Sequence, residues 1–162
     1  MRSASVFSVS SVRSANSDCY NHLSMYAFEF EWQMFARIIL AAALGTLLGY
    51  EREHEGKPAG MRTHGMVGVG AALFTIVSLH GFGGAGDPAR VAAQIVTGVG
   101  FLGAGAILHH RDSIRGLTTA ATLWVTAAIG TAVGAGMYAM SIAGAALAFL
   151  ILRFGPRPHR EE

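Results

Sequence analysis

Apolar residues in this chain come in long blocks, and charge collects at the joints between them. Trp32 to Tyr50 is the first block, interrupted by Arg37 near its start. A polar stretch follows, EREHEGKPAGMR, from Glu51 to Arg62, which reads as a loop. Thr63 to Gly83 contains no Asp, Glu, Lys or Arg in its 21 residues. GAGDPAR (84–90) breaks the pattern before a third uncharged block, Val91 to Leu108, and HHRDSIR (109–115) breaks it again. Between Arg115 and Arg153 lie 37 residues without a formal charge. As one helix these would reach about 55 Å, against about 30 Å of bilayer hydrocarbon. The segment is therefore read as two spans turning around residues 134–138.

Inside hydrocarbon every backbone donor and acceptor needs an internal partner, so apolar blocks of this length are helices. Barrel strands would be shorter and would alternate apolar with polar residues. The fold class that follows is all-α: an integral membrane helical bundle of about five transmembrane helices over residues 32–154. Composition agrees, with 52% hydrophobic residues, 14% charged residues and a mean hydropathy of +0.42. Residues 1–28 carry eight serines and no apolar run of signal-peptide length. They are expected to be a disordered extension, or the product of a start set upstream of Met25 or Met34. Residues 155–162 form a short tail.

Five spans place the termini on opposite sides. With the N-terminus outside, eight Lys and Arg residues fall inside and four outside. The positive-inside rule then predicts an N-out, C-in topology, which accounts for the pI of 9.0 without nucleic acid. The net charge is only +2, and no basic run interleaves with aromatics.

The 21 glycines need a physical account. Membrane helices associate through close backbone approach at small residues. Gly45 with Gly49, and Gly130 with Gly134, have GxxxG spacing and predict packing faces. GVGFLGAG brings Gly98, Gly100, Gly103 and Gly105 into eight residues, with dinucleotide-fingerprint spacing. That fingerprint needs a strand before it, an amphipathic helix after it and a distant acid. Here Ala106-Ile107-Leu108 runs straight into His109-His110-Arg111-Asp112, so the nucleotide reading is rejected. Close packing is the expected use of these glycines, and a broken helix lining a cavity is the alternative.

Asp87-Pro88 is a helix start, an N-cap acid followed by proline at the first helical position. Arg90 and Gln94 follow at spacings that put all three roughly on one helix face. At the other side, Glu51, Arg52, Glu53 and Arg62 share a loop, and Arg115, Thr118 and Thr119 return to the same level. Arginines from the two loops are expected to pair with Glu51 and Glu53. The seven histidines and lone Cys19 form no recognisable metal motif, and neither HExxH nor GxSxG is present. The chain is expected to be no enzyme, with no metal and no cofactor.

Three stretches, GYEREHEGKPAGMRTHGMVGVGAALFTIVS, DPARVAAQIVTGVGFLGAGAI and IRGLTTAATLWVTAAIGTAVGAGMY, closely resemble the membrane domain of the MgtC/SapB family from about Ile38 to Phe154. The resemblance implies a multi-pass protein of the bacterial inner membrane, tied to growth at low magnesium, to stress adaptation and to virulence. It implies a regulatory role, including action on the F-type ATP synthase, with a Mg²⁺ or other cation transporter as the alternative. A homo-oligomer is compatible with it. Carried over residue by residue, the motif positions are Glu51, Arg52, Glu53, Arg62, Asp87, Arg90, Gln94, the four glycines from Gly98 to Gly105, Arg115, Thr118, Thr119 and Trp124. The family's essential aspartate would match Asp87. Virulence-type members continue into a soluble ACT-like domain, whereas this sequence stops at RFGPRPHREE.

Overall fold

The computed structural model describes residues 9–82, 86–110 and 113–155, with side-chain surroundings for 29–82, 86–107 and 115–155. Residues 1–8 of the N-terminal extension and 156–162 of the tail lie outside the described residues. The chain divides into two compact units, Met1–Phe35 and Ala36–Glu162. In the first, the Trp32 and Phe35 rings stand 5.8 Å apart. The bundle belongs to the second.

Among the described residues five helices appear, as the apolar blocks predict: α1 (Val9–His54), α2 (Met61–His80), α3 (Pro88–Ala106), α4 (Leu117–Gly134) and α5 (Tyr138–Phe154). Four of them contain a segment long and apolar enough to cross a membrane, the one in α1 being Glu29–His54. At 17 residues α5 is shorter, about 26 Å by helical rise. Large apolar side chains such as Phe74, Phe101, Ile151 and Phe154 lie exposed on the helices, as a lipid environment favours. The described bundle is thus a multi-pass membrane protein.

Beyond the start of α1 at Val9, which lies inside the residues 1–28 expected to be a disordered extension, two boundaries differ from the sequence expectation. First, α1 does not stop at Tyr50 but continues to His54, so Glu51, Arg52 and Glu53 are helical rather than in a loop. Glu and Arg are good helix formers, and the chain turns only at Gly56. Second, the polar break at 109–115 contains a small antiparallel hairpin, β1 (Leu108–His110) with β2 (Ser113–Arg115), pairing Leu108 with Arg115. Gly116 leads from it into α4 in the left-handed region, φ +92°, where a Cβ would collide with the Ala106 carbonyl. The other joints match expectation. Asp87 caps α3 by accepting the Ala89 N–H at 2.9 Å, with Pro88 following, and the last turn falls at Ala135–Met137.

The centre is α4, which packs on α2, α3 and α5. Its buried threonines point inward yet donate to their own helix, Thr122 Oγ1 to Thr118 O at 2.6 Å and Thr126 Oγ1 to Thr122 O at 2.8 Å. Such back-bonding satisfies a hydroxyl without water. Around them Ala41, Leu48, Ala72 and Val133 are wholly buried.

Arg37, the one charge inside the first apolar block, has a structural role. Its Nη1 donates to Gly134 O at 2.9 Å and its Nε to the Tyr138 hydroxyl at 3.0 Å. A guanidinium at the C-terminal end of α4 also complements the helix dipole. Arg37→Ala is expected to lower stability by about 1.5–3 kcal/mol, the range for hydrogen bonds to a charged group. A thermal-unfolding midpoint in detergent, unchanged on substitution, would refute this.

Candidate functional site

The elements bring polar residues together at both ends of the bundle. At one end α1 finishes, α2 and α4 begin, and α5 finishes. Here Glu51, Arg52, His64 and Thr119 are all at least 95% buried. Arg52 is the hub: its Nη2 donates to Thr119 Oγ1 at 2.9 Å, and its Nη1 lies 3.5 Å from Glu55 Oε2. Glu51 Oε1 lies 3.6 Å from Nη1 of the half-exposed Arg153, an ion pair too long to be a hydrogen bond. His64 Nδ1 donates to Gly60 O at 3.1 Å. Glu51 Oε1, Arg52 Nε and His64 Nε2 are buried without a hydrogen-bond partner. Exposed Glu53 accepts the Met61 N–H at 3.0 Å and so holds the start of α2.

The predicted pairing between two loops is corrected in its partner. Arg115 and Arg62 are exposed, and among the described residues no ion pair joins either to Glu51 or Glu53. The arginine that reaches Glu51 is Arg153, at the end of α5. Thr118 and Trp124 are exposed, while Thr119, one residue on, is the buried partner of Arg52. Glu51 itself sits within the segment of α1 long and apolar enough to cross a membrane. Sequence reading missed His64 and Arg153; a histidine inside an otherwise uncharged block was the available signal for the first.

At the opposite end Asp87, Arg90 and Gln94 do share one face of α3. They form one wall of an open groove of about 1190 Å³ between α2 and α3, with Ala127 of α4 at its floor. The wall continues through Gly98 and Leu102, and α2 supplies Gly70, Phe74 and Ser78 opposite. All three polar side chains are exposed. No ion pair links Asp87 to Arg90 among the described residues.

The glycines divide between two roles. A Cβ at Gly45 would stand 2.6 Å from His64 O, one at Gly49 2.6 Å from Met61 Cα, and one at Gly134 2.7 Å from Ala72 O. A Cβ at Gly130 would collide with Gly68 O. These four are packing glycines. In GVGFLGAG only Gly103 faces a neighbour, Ala120, at 3.5 Å. The packing expectation is corrected for Gly98, Gly100 and Gly105, which have nothing within 4 Å. The reason is the narrow contact of α3, which buries only Val99 and Gly103. Its helix is unbroken, and Gly98 opens onto the groove from outside.

Among the described residues no group of three His, Cys, Asp or Glu side chains could hold a metal. The MgtC family model matches residues 38–161, covering the whole bundle after the start of α1. The chain is 50% identical over 127 residues to the "Putative magnesium transporter YhiD" of Escherichia coli K12, covering 74% of this chain and 59% of that protein. It is 50% identical over 111 residues to the "Protein MgtC" of Brucella abortus strain 2308, covering 68% of this chain and 45% of that protein. An uncharacterised Haemophilus influenzae protein is 39% identical over 136 residues, 78% of this chain and 57% of the relative. The chain thus spans about half the length of the curated relatives it matches. No solved structure matches it.

Proposed function

Since the chain belongs to the MgtC family, we propose that it is a regulatory, non-catalytic protein of the bacterial inner membrane, N-out and C-in. It acts in adaptation to low Mg²⁺ or stress by modulating a membrane partner such as the F-type ATP synthase. The observation that carries this reading is the closed interior. Between the two polar ends, α1, α2 and α4 touch backbone to backbone at Gly45, Gly68 and Gly130. Thr75, Thr122 and Thr126 along that seam turn their hydroxyls onto their own helices. A magnesium path needs oxygen ligands and retained water along its length, and neither fits in this seam. The partner's helix would meet α3, whose exposed Thr97, Gly100 and Ala104 make a stripe of small residues suited to close approach.

Transport is the second reading. It is favoured by the name "Putative magnesium transporter YhiD" of the Escherichia coli relative and by Asp87 at the groove mouth. Protein reconstituted in liposomes around a Mg²⁺ indicator separates the two. The expected result is no protein-dependent flux, together with co-purification of ATP synthase subunits that Gly100→Leu abolishes. Flux that disappears in Asp87→Ala would overturn the regulatory reading.

A further inference from the structure

We propose that the groove between α2 and α3 holds one phospholipid with a primary ammonium headgroup, phosphatidylethanolamine. The inference is independent of which partner the protein regulates. Both walls belong to spans long and apolar enough to cross a membrane, so the open side of the groove faces lipid. What selects the lipid is the order of groups along α3. Asp87 comes first, Arg90 follows about 4.5 Å further along the axis, and Gln94 about 6 Å beyond that. Gly98 and Leu102 then continue the same wall without polarity. Phosphatidylethanolamine presents its groups in the same sequence: ammonium outermost, then phosphate, then ester carbonyls, then acyl chains.

Each pairing matches charge and hydrogen-bonding capacity. Asp87 spends Oδ1 on the Ala89 N–H, which leaves Oδ2 for the ammonium. The Arg90 guanidinium has no ion-pair partner among the described residues and suits a phosphate in fork geometry. Gln94 is an exposed amide about two turns into the helix, where an unsatisfied polar group is costly. An ester carbonyl would accept its N–H. Beyond it, Gly70 and Gly98 face open space from opposite walls and leave a smooth channel for an acyl chain. Phosphatidylcholine lacks an N–H to offer Asp87, and phosphatidylglycerol lacks a cation.

The test is lipid retention by the full chain. Protein purified in mild detergent is stripped of lipid and mixed with equal amounts of phosphatidylethanolamine, phosphatidylcholine and phosphatidylglycerol. Bound lipid is then counted by native mass spectrometry. One phosphatidylethanolamine is expected, preferred about tenfold or more, the scale of one charge-assisted hydrogen bond. Asp87→Asn should erase the preference over phosphatidylcholine, and Gly98→Leu should cut retention of every lipid about as strongly. Gly70→Leu on the facing wall replaces Gly98→Leu if circular dichroism shows that variant unfolded. Equal retention of the three lipids, or a preference that survives Asp87→Asn, overturns the proposal. So does a Leu102→Cys protein, in a Cys19→Ser background, that cross-links to a second copy or to another membrane protein in phosphatidylethanolamine vesicles.

Discussion

Replacing Arg52 with leucine is expected to cost about 3–5 kcal/mol, the cost of breaking a buried ionic arrangement by removing one partner. The substitution takes the donor from Thr119 Oγ1 and the counter-charge from Glu55. Glu51 next to it stays buried, and among the described residues its ion pair is with half-exposed Arg153 at 3.6 Å. Leucine fills much of the volume but returns none of the charge. Arg52→Lys should recover little, because an ammonium cannot reproduce two contacts from separate arms of a guanidinium fork. Thr119→Val should cost less, about 1–3 kcal/mol, since it leaves one charged donor unpaired. Equilibrium unfolding in mixed micelles gives all three values. A loss below about 1 kcal/mol for Arg52→Leu would show the cluster to be energetically neutral.

Gly130→Val is the second large effect, and its counterpart at Gly100 gives it meaning. At Gly130 a Cβ meets the Gly68 carbonyl and comes within 3.0 Å of the Ala71 Cβ. The obstacle is backbone, so relief requires α2 and α4 to separate. Overpacking commonly costs about 1–3 kcal/mol, and loss of the folded bundle is expected here because the seam is the centre of the structure. At Gly100 nothing lies within 4 Å. Gly100→Ala should therefore gain about 0.5–1 kcal/mol from helix propensity alone. Thermal midpoints of the two proteins should move in opposite directions. A shared direction would mean that α3 packs against the bundle more fully than described.

Much of this fold was legible because hydrocarbon imposes a simple code. Charge-free blocks mark the helices, and the 37 residues after Arg115 can be divided only one way against a bilayer's thickness. Asp87-Pro88 marked the start of α3 because capping is a local event. What escaped was tertiary. Nothing near Glu51 says that its partner is Arg153 rather than Arg115, because both lie at the same level of the bundle and only the packing of α5 chooses. His64 looked like a lone histidine until the approach of α1 at Gly45 enclosed it. The glycines of α3 show the same limit: spacing reveals which residues share a face, but not whether another helix stands opposite.

The central position of α4 bears on how the protein is made. Arg52 waits for a partner 67 residues downstream, and the faces of α2 and α3 that carry Gly68, Ala71 and Val99 have their shared neighbour in the same late helix. During synthesis, three spans must therefore enter the bilayer before the element that unites them exists. A buried carboxylate, a guanidinium and an imidazole spend that interval without their final surroundings. Arg52 gains its partner when α4 arrives, but Glu51 meets Arg153 only once α5 has followed, so the polar cluster at this end is the last part of the bundle to close.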